Sequence, residues 1–244
     1  MTRWSEVPEY LKVPWGVRDA LVLVSAWFGL QLLLGIGLVF LSPEIPAINE
    51  FMKAVNQGHV GASFALNLVG VAIGLGLVAL YLRKYKANWS AVGWRKVNIL
   101  KLIKYLFLTL IVFIVLANVA LIVVKLLDPG FDANQAQTND FTKAAGSHRS
   151  LALIALVLIP PIFEETIFRG FIFPALSKRA GLIWGAVLSS MLFGAAHGQP
   201  NLFVYTSILG LLLCFMYVKT RSIVPGVLLH MVNNYLAFLA LTGK

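Results

Sequence analysis

The stretch Leu158-Ile-Pro-Pro-Ile-Phe-Glu-Glu-Thr-Ile-Phe-Arg169 sits inside an apolar run that extends from Leu151 to Leu176. The run is long enough to cross hydrocarbon, which takes about 20 residues. Yet it carries Glu164, Glu165 and Arg169 near its centre. Insertion scales charge about 2.5–3.5 kcal/mol for each such residue. A helix that keeps three of them needs partners for them inside the protein, and intramembrane ionisable groups mark functional sites. Glu165 and Arg169 are four residues apart with the acid first, the favourable order for a pair on one helical face. Glu164 is rotated about 100° from Glu165 and falls outside that pair. Pro160 and Pro161 stand one turn before Glu164 and loosen the helix there, as is tolerated where a membrane helix lines a cavity.

Six further apolar runs surround this one: residues 20–41, 60–82, 105–124, 181–196, 202–218 and 223–241. None alternates as strands of a membrane barrel do. The expected fold is therefore an all-α, polytopic membrane helix bundle of about seven transmembrane helices, the 181–196 run being short for a span. Composition agrees. Of 244 residues 59% are hydrophobic and only 12% charged, about half the charge of a soluble domain, so a soluble or a disordered chain is excluded. Cys214 is the only cysteine; an internal disulfide and a cysteine-based zinc site are ruled out, and a small buried hydrophobe is expected there. Gly70-x-x-x-Gly74 and Gly181-x-x-x-Gly185 predict close helix packing. Residues 1–19 are polar, unlike a cleaved signal peptide. They read as an interfacial N-terminal segment with Trp4 and Trp15 at headgroup depth, leaving 20–244 as a single membrane domain.

The net charge of +10 first suggests nucleic acid, but the basic residues form no stripe with interleaved aromatics. They fall between the apolar runs. With the N-terminus inside, the inner segments 1–19, 83–104, 177–180 and 219–222 hold fourteen Lys and Arg, and the outer segments hold five. That split predicts a cytoplasmic N-terminus and an outside C-terminus, with the 83–104 loop, which has no acidic residue, in a topological and lipid-facing role. The partner is the lipid bilayer, and no nucleic acid is expected.

Four histidines are present. His59 and His148 fall in outer segments and read as solvated. His197 ends the 181–196 run and His230 lies inside the last, with Asn234 one turn further on and Phe193 one turn before His197. Asn67 and Asn118 are also intramembrane, but nothing in the sequence ties them to this set. A carboxylate and a histidine can hold and deprotonate a water in an apolar cavity. A second histidine and an amide can stabilise the oxyanion formed when that water attacks a carbonyl. The same Glu, His and His could instead ligate zinc, although the His-Glu-x-x-His zinc signature is absent.

Glu164-Glu165-x-x-x-Arg169, Phe193-x-x-x-His197 and His230-x-x-x-Asn234, in that order on three separate membrane helices, resemble the pattern of the CAAX-protease and bacteriocin-processing (CPBP or Abi) family, which includes the type II CAAX prenyl endopeptidases. No element departs from the pattern, which covers roughly residues 150–240. The resemblance implies an intramembrane endopeptidase with residues 150–241 as its catalytic core. By that analogy Glu164 is the base, His197 helps it activate water, His230 and Asn234 stabilise the oxyanion, and Glu165, Arg169 and Phe193 support the site. The expected substrate is a peptide or a membrane protein. No cofactor is favoured; zinc on Glu164, His197 and His230 is the alternative to a metal-free glutamate mechanism. Location in the plasma membrane of a prokaryote is expected. A proton- or ion-coupled transporter, or an inactive immunity or scaffold protein, are the other functions such a cluster admits.

Overall fold

A computed structural model describes residues 6–131 and 149–242. Trp4, His148 and the extreme C-terminus, for which the sequence raised expectations, lie outside them. Among the described residues every regular element is helical: α1 (Val17–Leu41), α2 (Pro46–Asn56), α3 (Val60–Lys84), α4 (Ile99–Leu127), α5 (Arg149–Ala180), α6 (Leu182–Ala196), α7 (Pro200–Thr220) and α8 (Val224–Thr242), with short 3-10 turns at Glu9–Leu11 and Trp89–Val92. Five of these, α1, α3, α4, α5 and α7, are long and apolar enough to cross a membrane, and α6 and α8 are shorter apolar helices. The protein is a multi-pass membrane helix bundle. The amphipathic α2 was not foreseen, because its 11 residues mix Glu50, Lys53 and Asn56 with apolar positions inside an outer segment. His59 is exposed just before α3.

α5 is one helix in five pieces. Ile154–Leu158 and Thr166–Ile172 are wound as π-helix, and each lies immediately before prolines, Pro160–Pro161 and Pro174. A proline lacks the N–H that the α register needs. The residue at the end of each wide turn bonds five residues back instead, Ile159 N–H to the Ile154 carbonyl and Phe173 N–H to the Phe168 carbonyl. The helix thus bends its register without breaking, as π-bulges do at functional positions.

Around α5 the bundle closes through small residues. α6 packs along α7 and against the last part of α5, α4 lies on α7 and α8, and α1 lies on α3. A Cβ on Gly74 would collide with the Phe163 ring, and one on Gly70 would lie 2.7 Å from Gln31 Oε1, so this Gly pair is a packing pair. Gly181 is not. It has φ +83° with open space around it and makes the turn from α5 into α6, leaving only Gly185, seated on Ser177, as the contact. α1 and α4 turn Leu32, Leu33, Phe40, Leu100, Phe107 and Leu126 outward, as lipid-facing helices do.

The end of the bundle that carries the basic segments is knitted together. Trp15 is fully buried, its ring stacked 4.6 Å from Phe171 and its Nε1 donating to the Phe171 carbonyl at 3.0 Å. It is therefore a core plug and not a headgroup anchor, because α3 and α5 leave an aromatic-sized slot beside Phe171. Tyr10 donates to the Val218 carbonyl at 2.7 Å, and burial pushes its hydroxyl up to about 12, so it remains a donor. The 83–104 loop is likewise more than lipid-facing. Ile223 N–H donates to the Gly93 carbonyl at 2.9 Å, Ser222 Oγ to the Arg95 carbonyl at 2.6 Å, and Trp94 Nε1 to Thr166 Oγ1 at 3.1 Å. Gly170 of α5 is pressed against the Val92 carbonyl, where a Cβ would collide.

Candidate active site

Three helices bring the polar set together. Glu164, Glu165 and Arg169 come from the middle of α5, Phe193 and His197 from the end of α6, and His230 and Asn234 from the middle of α8. Glu165 is completely buried and Arg169 is 1% exposed. Glu165 Oε1 takes Arg169 Nη1 at 2.9 Å and His230 Nδ1 at 3.2 Å. A carboxylate accepts only, so His230 carries its proton at Nδ1 for this bond. The other imidazole nitrogen, Nε2, faces Glu164 Oε2 at 3.6 Å. His230 therefore stands between the two neighbouring carboxylates, and Glu165 is tied to α8 as well as to Arg169. Breaking such a buried, paired charge is costly because its partners lose their compensation.

Phe193 is the spacer. Its fully buried ring holds the Arg169 guanidinium 4.1 Å above its centroid and meets both imidazoles in T-shaped contact, His197 at 4.8 Å and His230 at 5.6 Å. The negative face of the ring attracts the cation. His197 bonds through Nδ1 to the Phe193 carbonyl at 2.8 Å. A carbonyl also only accepts, so Nδ1 donates and Nε2 is left with a lone pair.

Asn234 Nδ2 donates to the Leu156 carbonyl at 3.0 Å. The double proline explains that bond. The α-register donor to Leu156 would be residue 160 and the π-register donor residue 161, and both are proline. A buried carbonyl without a donor is costly, and α8 supplies one. Asn234 Oδ1 in turn accepts from Asn233 Nδ2 at 3.2 Å, and Asn233 Oδ1 accepts from the Tyr205 hydroxyl at 2.5 Å. This chain links α7, α8 and α5.

A cavity of about 770 Å³ is lined by Glu164, His197, His230 and Asn234. Glu164 is the exposed member of the glutamate pair, its side chain 25% accessible, while its Oε2 is buried without a hydrogen-bond partner. The cavity also gathers Asn67, Asn118, Gln199, Asn201 and Asn233. Sequence spacing could not join Asn67 and Asn118 to the set, since they sit on α3 and α4. The adjacent Asn233-Asn234 inside an apolar run was the one local sign of Asn233. Among the described residues no three His, Cys, Asp or Glu side chains form a group able to hold a metal.

Residues 146–236 match the family model of the type II CAAX prenyl endopeptidase Rce1-like proteins. That span contains Glu164, Glu165, Arg169, Phe193, His197, His230 and Asn234, but not Asn67 and Asn118. A protein of Bacillus subtilis (strain 168) called "Putative membrane peptidase YdiL" is 33% identical over 85 residues, 34% of this chain and 34% of its own. An "Uncharacterized 24.3 kDa protein" of Escherichia coli is 33% identical over 94 residues, 36% of this chain and 43% of its own. The matched stretches thus span less than half the length of these curated relatives. No solved structure matches.

Proposed function

We propose that this chain is an intramembrane endopeptidase that cleaves peptide bonds of membrane-associated substrates with a water activated by Glu164. The observation that carries the reading is the position of Glu164: the one partly accessible carboxylate of the buried cluster, on the wall of a cavity shared with His197, His230 and Asn234. In this reading Glu164 takes a proton from the water, and His197 Nε2 accepts the water's second hydrogen bond, which orients its oxygen. Attack on the peptide carbonyl makes an oxyanion. His230, doubly protonated so that Nε2–H donates while Nδ1–H stays on Glu165, and the second N–H of Asn234 donate to it, the first Asn234 N–H being held by Leu156. When the C–N bond breaks, Glu164 returns its proton to the leaving amine. Glu165 and Arg169 take no part in proton transfer; they fix His230 and α5. The likeness to the Rce1-like family model supports the reaction class.

The test is cleavage of a peptide panel by the purified protein, before and after dialysis against a strong chelator. Glu164→Gln keeps the shape and removes the base, so cleavage should fall at least about 100-fold, the scale of general-base catalysis, with the melting temperature nearly unchanged. Activity should survive the chelator. Near-normal turnover in the Glu164→Gln protein rejects the base assignment. Activity lost to the chelator and restored by zinc alone makes Glu164, His197 and His230 metal ligands.

A further inference from the structure

We infer that the cavity opens on the face of the membrane opposite the basic segments, the non-cytoplasmic face, and that it takes an uncharged, extended polypeptide segment presented there. The name substrate rests on the protease reading; the side does not. The cavity wall draws chiefly on one half of each helix it touches: Asn67 early in α3, Ala117 to Val124 late in α4, Leu156 to Glu164 in the first half of α5, His197 to Leu209 across the α6–α7 turn, and His230 to Ala240 from the middle of α8 to near its end. All of these halves lie toward one end of the bundle. The other end is where Tyr10 meets Val218, Lys178 Nζ meets the Val13 carbonyl, and the 85–98 loop is fastened to Ser222 and Ile223. Those contacts gather the four segments that hold fourteen of the twenty Lys and Arg. The positive-inside rule puts that end in the cytoplasm, and the cavity mouth on the far side.

The lining names the occupant's chemistry. Among the described residues no Lys or Arg lines the cavity, and Glu164 is the sole carboxylate there. Six amide side chains, Asn67, Asn118, Gln199, Asn201, Asn233 and Asn234, line the space instead. An extended backbone offers one N–H and one C=O per residue, and an amide side chain can answer both. A charged side chain would enter without a counter-charge, at a desolvation cost.

Two measurements on the full chain in cells test this. In the first, single-cysteine additions are exposed to a membrane-impermeant maleimide, with the buried Cys214 as the unlabelled control. Gln57→Cys in the turn after α2 and Gln199→Cys at the cavity should label in intact cells, and Lys96→Cys only after permeabilisation. Labelling of Lys96→Cys in intact cells overturns the side. Protection of Gln199→Cys while Gln57→Cys labels overturns the opening. In the second, a single-span reporter carries a neutral peptide stalk outside or inside. Loss of only the outward stalk, abolished by Glu164→Gln, is the expected result, and cutting of the inward stalk overturns the proposal. Expected labelling with neither stalk cut rejects the substrate assignment together with the protease reading, and the labelling alone then fixes the side.

Discussion

Glu164 and Glu165 are neighbours in sequence with opposite surroundings. Glu164 borders the cavity; Glu165 is sealed between Arg169 and His230. Glu165→Gln therefore leaves two basic groups without their shared negative charge. Breaking a buried pair of this kind costs about 3–5 kcal/mol, and the variant should show lower yield and a lower melting temperature in detergent, whereas Glu164→Gln should match the unsubstituted protein in both. Equal melting of the two variants would contradict the assignment. The Glu165–Arg169 contact was legible in the sequence because four residues is one helical turn. The link from Glu165 to His230 was not, since 65 positions separate them and only the docking of α8 on α5 closes the distance. Glu164 was expected to meet His197; the structure also brings His230 Nε2 within 3.6 Å of it.

At the scale of the element, α5 is shaped by what its prolines take away. Register is yielded at Ile154–Leu158 and Thr166–Ile172, and the Leu156 carbonyl is handed to Asn234. The presence of prolines was readable from the chain. Where the carbonyl would go was not, because side chains on another helix supply the donor. The same helix is held from behind at Gly170, which meets the Val92 carbonyl without room for a Cβ. Val92 belongs to a backbone turn that cannot swing aside as a flexible side chain can. Gly170→Ala should destabilise by about 1–3 kcal/mol, the usual range for overpacking, read as a lower melting temperature. Gly76→Ala, at a helical glycine with nothing within 4 Å, serves as the control and should melt like the unsubstituted chain or slightly above it.

Across the whole molecule, the N-terminal strap and the 85–98 loop brace one end of the bundle while the cavity occupies the other. The apolar runs revealed the bundle because a lipid-crossing helix has to be continuous; they gave no hint that Trp15 turns inward, since a tryptophan before a span suits a headgroup and a slot equally well. Trp15→Ala should cost about 3–5 kcal/mol, the range for truncating a buried tryptophan. Its melting temperature should fall even though Trp15 lies far along the chain from the cavity residues; an unchanged melting temperature would mean the strap is not part of the folded core. The burial of Arg169 over Phe193 also sets an order of events during biosynthesis. As α5 leaves the ribosome it holds three ionisable groups whose counterparts, Phe193 and His230, have not been made. Alone in lipid it would bear the cost of all three. Its stable residence in the bilayer is therefore a joint act with α6 to α8, and a nascent chain that stops before α8 should be a poorly inserted one.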